Sequence, residues 1–176
     1  MNYPYKLSIC IPTFNRARHL KNCLQSIISI KKPSFLDFQI CVSDNGSTDN
    51  TTEIIKQVKG ELKIKYHRNN NNIGISKNFL QVVDMADGEF IWLIGDDDLL
   101  LPNTIIDLFK LMEKHKQVDF FYINSFHLSV EYVFSFPQPF NTNCLPKDMK
   151  PFSSYRINGE LAFFDLISPK ISFDFL

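Results

Sequence analysis

No imbalance of charge selects a polyanionic partner for this chain. Its 176 residues carry 19 Lys and Arg against 19 Asp and Glu, and a net charge of zero provides no electrostatic footprint for nucleic acid. The four cysteines, Cys10, Cys23, Cys41 and Cys144, include no CxxC pair. Cys10 and Cys41 sit inside apolar runs and read as buried free thiols, which suits a reducing cytosol better than a disulfide scaffold. The start, Met1 to Lys6, lacks the basic and apolar regions of a signal peptide. No uncharged apolar run approaches the roughly 20 residues that span a bilayer. A cytoplasmic protein is expected. There is no internal repeat and no low-complexity segment.

The absent motifs narrow the chemistry. Without GxxxxGK[ST] or GxGxxG, an ATPase or a dehydrogenase is disfavoured. His19, His67, His115 and His127 form no HxxxH or HExxH pair, which argues against a zinc hydrolase. No GxSxG elbow is present.

What the chain does have is an alternation of short apolar runs and amphipathic segments. Strands are expected at Leu7–Ile11, Phe38–Val42, Leu62–Tyr66, Phe90–Ile94, Val118–Ile123 and Leu128–Phe134. The Leu62–Tyr66 strand alternates in the manner of one near a sheet edge. Helical spacing appears from about Arg18 to Ile30, around Ile54, Ile55 and Val58, around Ile75, Phe79, Val82 and Val83, and through Ile105, Leu108, Phe109 and Met112. Gly159–Ile167 is a further short helix candidate. This order is an α/β signature and predicts a Rossmann-like, mostly parallel sheet flanked by helices, in one domain spanning residues 1–176.

Ligands bind such sheets off the carboxyl ends of the strands. Three polar segments lie there: Pro12–Arg16, Ser43–Asp49 and Gly95–Asp98. The last contains three consecutive carboxylates between two apolar runs. Adjacent anions repel, and burying one unpaired is costly, so a cation is expected among Asp96, Asp97 and Asp98. Mg2+ or Mn2+ is the first candidate. The competing reading is an acidic turn with one Asp as a helix cap. Together with Asp44, Arg16 and Lys77, the rim suits a nucleoside diphosphate. Asp44 is a candidate acceptor for a base N–H or a ribose hydroxyl, and equally for its own backbone in an Asx turn. Lys77 begins a helix, where backbone N–H groups favour phosphate. Gly74 serves the backbone turn before it.

These segments resemble the motifs of family 2 glycosyltransferases, which have the GT-A fold. Leu7 to Arg16 resembles the opening strand and loop, and Val42 to Asp49 the "DDGSTD"-like run. Asn72 to Asn78 resembles the "N-x-G" helix start, and Trp92 to Asp98 the DxD region. The four occur in order over about Leu7 to Pro102. The resemblance implies inverting, Mn2+- or Mg2+-dependent transfer of a sugar from a nucleotide donor, UDP-linked by preference. The "GDDD" run is similar to bacterial surface-polysaccharide transferases. That implies a glycan or lipid-linked acceptor and a place at the cytoplasmic face of the cell membrane, with peripheral association. It also implies that Pro12, Thr13, Asn15 and Arg16 line the nucleotide pocket, that Asp44 holds the base, that Gly74 and Lys77 lie near the diphosphate, and that Asp96, Asp97 and Asp98 hold ribose and metal.

Two departures stand out. The common pattern is "LDADD", which places its first acid where this chain has Gly95, and this chain has an additional acid at Asp96. The pair is then Asp96 with Asp98, or Asp97 is the principal ligand. Second, inverting transfer needs a carboxylate base, and Asp148, Glu160, Asp165 and Asp174 sit in no recognisable catalytic motif. With residues 5–125 read as the nucleotide-sugar half, residues 126–176 make an acceptor half that is expected to be incomplete. A non-catalytic nucleotide-sugar-binding module is the alternative to an enzyme.

Overall fold

A computed structural model describes residues 2–30, 36–123 and 125–145. The elements are β1 (Tyr5–Thr13), α1 (Ala17–Ile28), β2 (Phe38–Asp44), α2 (Thr51–Val58), β3 (Ile64–Arg68), α3 (Ile75–Asp84), β4 (Gly88–Leu93), α4 (Thr104–Lys114) and α5 (Val130–Phe134). Two compact units result. Residues 1–121 with 129–145 form the first, and residues 122–128 with 146–176 the second. Of the second, the described residues form no helix and one bridge, at Phe126.

The sheet of the first unit has the order β3-β2-β1-β4, and every pairing is parallel. The expected α/β architecture is therefore present, with β3 at an edge. The two central strands are buried almost throughout, as befits strands covered on both faces. Helix α1 buries Leu20, Cys23, Leu24 and Ile27 on one stripe, each large side chain contributing roughly 1.5–3 kcal/mol. Helix α3 lays Val82, followed by Met85, against the neighbouring thiols Cys10 and Cys41. Both cysteines are free and buried, as expected. The hydrogen bond that the Cys10 thiol donates to Cys41, with burial, drives Cys10 far up from its ordinary pKa. Among the described residues, no helix is long and apolar enough to cross a membrane.

Three expectations need correction. The third strand begins at Ile64, two residues later than expected, and continues to Arg68. Residues 118–123 form no strand. They have strand-type side chains, but a strand exists only where a neighbour accepts its ladder bonds, and β4 pairs only with β1 among the described residues. Third, the alternating run Leu128–Phe134 contains helix α5. The Ser129 hydroxyl accepts the Tyr132 N–H at 3.1 Å, and this N-cap overrides the alternation. The helix expected at Gly159–Ile167 lies outside the described residues.

Parallel pairing sends all four carboxyl ends to one rim and sets their register. Thr13 is opposite Asp44, and Asp44 opposite Arg68. At the other end, β1 and β4 touch closely through Gly88. A Cβ there would lie 2.6 Å from the Ser8 nitrogen and 2.8 Å from the Leu7 carbonyl carbon. Both are backbone atoms of a central strand and cannot yield separately. Gly88→Ala is expected to destabilise the fold by about 1–3 kcal/mol, read as a lower urea midpoint at unchanged m-value.

Candidate active site at the carboxyl rim of the sheet

The rim is assembled by side chains that bond to backbone across loops. After β1, Asn15 takes a left-handed conformation, φ 53°, which Asn tolerates better than most residues. Its N–H donates to Ser47 Oγ at 2.8 Å, and its Oδ1 accepts the Thr48 N–H at 2.7 Å. Asp49 joins two helices. One oxygen accepts the N–H of Ala17, the first residue of α1, at 2.9 Å. The other accepts the Thr51 hydroxyl at 2.6 Å and its N–H at 3.1 Å, at the start of α2. Burial opposes ionisation of Asp49, but the hydrogen bonds from Thr51 and Ala17 outweigh it and hold the carboxyl below its ordinary range.

Asp44, at the end of β2, is completely buried. Its Oδ1 accepts the Ser47 N–H at 2.8 Å, so the Asx turn exists. Its Oδ2 accepts the Tyr66 hydroxyl at 2.8 Å and faces Arg68 Nε at 3.5 Å. Burial and the adjoining carboxylate push the Tyr66 hydroxyl up to about 12, against a lowering hydrogen bond with Thr52. Arg68 also donates to the Ser47 carbonyl at 2.7 Å. It is the exposed member of this group, with 46% of its side chain open to solvent. A ligand approaching Asp44 meets Arg68 first.

Beside it, a set of asparagines locks the loop before α3. Asn45 donates to Asn72 Oδ1 at 2.9 Å and accepts the Ile73 N–H at 2.9 Å. Asn78 receives the Ser43 hydroxyl at 2.7 Å and donates to the Ser43 carbonyl at 3.0 Å. Gly74 precedes α3 at φ 90°, and its N–H donates to Asn72 Oδ1 at 2.8 Å. Gly46, at φ 80°, lies against the backbone of Asn71, where a Cβ would approach to 2.9 Å. Ser76 and Lys77 are exposed in the first turn of α3.

The acidic triplet follows β4. Asp96 is buried; its Oδ2 accepts the Thr13 hydroxyl at 2.7 Å and its Oδ1 faces Arg16 Nε at 3.1 Å. Arg16 Nη2 donates to Asp97 Oδ2 at 2.6 Å. Asp98 turns back to accept the Gly95 N–H at 2.7 Å. Burial, with the charges of Asp97 and Asp98, pushes the Asp96 carboxyl up to about 6, although Thr13 and Arg16 pull it down. At the Gly95 departure, a Cβ would lie 2.6 Å from Asp97 Oδ1, the tip of an exposed side chain that can turn aside.

The structure thus joins Thr13, Arg16, Asp96 and Asp97 directly, and links Asn15 to Asp44 through Ser47. Pro12 is buried within β1, Gly74 is tied in by its backbone, and Lys77 makes no ion pair among the described residues. Asp148, Glu160, Asp165 and Asp174 lie outside the described residues. Arg68, Tyr66, Asn45 and Asp49 were not singled out from sequence. The signal for Arg68 was its place at the carboxyl end of a strand, obscured by ending that strand at Tyr66.

Among the described residues, no three acidic, histidine or cysteine side chains are placed to hold a metal ion. The guanidinium of Arg16 is instead the cation between Asp96 Oδ1 and Asp97 Oδ2. That geometry fits a hard divalent ion held by one or two carboxylates, the usual arrangement when phosphates and water complete the shell. It does not fit a cage of all three.

A parallel sheet of this order, with acids after its fourth strand, is that of the GT-A glycosyltransferases. A solved structure of Staphylococcus aureus TarS 1-349 in complex with UDP has TM-score 0.59 and 27% identity, covering 63% of this chain and 33% of that one. The sequence model described as "Glycosyl transferase family 2" matches residues 8–158, and the chain belongs to that family. It is 38% identical over 114 residues to abequosyltransferase RfbV of Salmonella typhimurium, across 64% of this chain and 34% of the relative. It is 36% identical over 107 residues to GalNAc(5)-diNAcBac-PP-undecaprenol beta-1,3-glucosyltransferase of Campylobacter jejuni, across 60% and 34%. The matched stretch is thus about a third of the length of these curated relatives.

Asp96 makes stability depend on pH. Its carboxyl titrates near 6 in the fold and near 4 when unfolded. Its stabilising contribution is therefore complete below about pH 4 and is lost as pH rises through about 6. Relative to wild type, Asp96→Asn is expected to gain roughly 3 kcal/mol between these limits. Urea unfolding of both proteins across that pH range checks this, and a constant difference would refute it.

Proposed function

We propose that this chain is the donor-binding part of an inverting glycosyltransferase, acting on a nucleoside diphosphate sugar with Mn2+ or Mg2+. The observation that carries this reading is the alignment of Thr13, Asp44 and Arg68 across one rim, with the Arg16–Asp96–Asp97 cluster beside them. Arg68, held in place by buried Asp44, suits the polar edge of a base. Thr13, with Asn15 and Pro12 shaping the wall, suits the adjoining ribose. The start of α3 at Gly74 and Lys77 presents N–H groups and a cation to the diphosphate. Arg16 neutralises the triplet while the donor is away.

Asp97, with Asp96, would hold the metal, and Asp98 would brace their turn through the Gly95 N–H. When bound, the metal supplies Lewis-acid stabilisation of the departing diphosphate. A UDP-linked donor is supported by the UDP complex of TarS. A glycan or lipid-linked acceptor is supported by the undecaprenol-linked glycan on which the Campylobacter relative acts, and surface-polysaccharide assembly at the cytoplasmic membrane face is the setting proposed with it. Residues 5–125 form the donor half, and residues 126–176 belong to the acceptor half.

Calorimetric titration of UDP-, GDP- and CDP-linked sugars, with and without Mn2+, tests this. UDP-linked donors are expected to bind best and at least about tenfold tighter with Mn2+, a difference of about 1.4 kcal/mol. Asp97→Asn is expected to remove the metal-dependent part. Wild-type affinity that ignores Mn2+ would overturn the metal assignment.

A further inference from the structure

A second polar cleft lies away from the rim, between the carboxyl-terminal half of α1, the start of α4 and residues 139–143. It has a volume of about 510 Å³, within the roughly 300–1,000 Å³ of small-molecule sites. Gln25 reaches it from α1, about two turns or roughly 12 Å beyond the helix start at the rim. Among the described residues, none of those lining it is charged. The cleft is thus unlike the rim in chemistry as well as in place.

Its walls are held by bonds that use the side chains of Ser26, Ser29 and Asn141 but not those of every polar lining residue. Buried Asn22 donates to Gln138 Oε1 at 2.7 Å and accepts the Phe140 N–H at 3.1 Å, seating residues 138–140 on α1. Phe140, 3% exposed, packs edge-on against Phe136 and Tyr132. Buried Ser26 accepts the Leu100 N–H at 3.0 Å and fixes the chain entering α4. Within this frame, the side chains of Gln25, Asn103, Thr142 and Asn143 make no hydrogen bond with other described residues. Asn103 sits at the helix cap position of α4 without using its side chain as a cap. The remaining surface is apolar, from Pro102, Ile106 and Pro139.

We infer that this cleft binds a neutral saccharide unit. Planar amides present a donor and an acceptor side by side, matching neighbouring sugar hydroxyls, and proline and isoleucine surfaces suit the C–H faces of the ring. Among the described residues no cation lines it to offer phosphorylated or nucleotide ligands the charge-assisted bonds they use. A frame held by buried Asn22 and Ser26 keeps the ordering cost of binding low. The inference is independent of the donor reading at the rim.

Backbone amide spectra of the full chain, titrated with methyl glycosides of glucose, galactose, mannose and N-acetylglucosamine and with neutral trisaccharides, test it. Glucose 6-phosphate serves as the charged control. Saturable shifts at Gln25, Asn103 and Asn143 are expected with at least one neutral sugar. Gln25→Ala with Asn143→Ala should weaken binding about tenfold, the loss of two neutral hydrogen bonds. Ile106→Trp, which fills the cleft, should abolish it while the rim amides keep their wild-type positions. The inference fails if no neutral sugar saturates, if both variants bind as wild type, if glucose 6-phosphate binds the cleft more tightly, or if the shifts centre on Thr13, Arg16 and Asp96. Because no probe carries a nucleotide, failure here leaves the calorimetric test of the donor site untouched.

Discussion

The contact on which the rim depends is the guanidinium of Arg16 set between Asp96 and Asp97. Three consecutive carboxylates at the end of an apolar strand repel one another, and Asp96 is buried as well. Without a cation this turn would be held open or protonated. Arg16 comes from the other side of the sequence, and Thr13 adds a second bond to Asp96 from the same loop. The loops after β1 and β4 are therefore tied by charge, over a separation of about eighty residues. A positive partner in this position can be exchanged for another. That property connects the stability of the unliganded turn with its capacity for a hard divalent ion.

The remainder of the rim is built differently. Its bonds run mainly from Asn, Asp, Ser and Thr side chains to backbone of distant loops. Asn15 holds the 47–48 turn, Asp49 starts two helices, and Asn78 ties α3 to the end of β2. Such bonds satisfy loop groups that would otherwise need water. They keep the N-termini of α1, α2 and α3 aimed at one place. Asp44 belongs partly to this frame and partly to the site. Its carboxylate supports Ser47 and Tyr66, while Arg68 carries its charge outward. The second cleft follows the same logic, since buried Asn22 and Ser26 shape it while the side chains of Gln25, Asn103 and Asn143 make no hydrogen bond with other described residues.

Much of this was legible in the chain. The apolar runs at Leu7–Ile11 and Phe38–Val42 marked two of the strands, which the sheet order then places at its centre. Helical spacing marked α1 to α4, and the α/β order implied a shared carboxyl rim before any contact was known. The failures have a common cause. Residues 118–123 and 128–134 have strand-type patterning, and local patterning does not say whether a partner strand exists. At Ser129 one hydroxyl cap decided for helix. Ending the third strand at Tyr66 concealed Arg68, because a strand's last residue is set by its neighbour's ladder and not by its own alternation.

The acidic triplet Asp96–Asp98 was determined by sequence alone as a place that demands a cation, since repulsion between adjacent carboxylates needs no fold to be felt. Which cation, and which acids, were decided only by tertiary structure. Folding brought Arg16 to Asp96 and Asp97 and turned Asp98 onto the Gly95 N–H. Position in sequence makes the three acids equivalent. Burial and direction make Asp96 a buried acid with a raised pKa, Asp97 an exposed one and Asp98 a brace. No one-dimensional pattern contains that distinction.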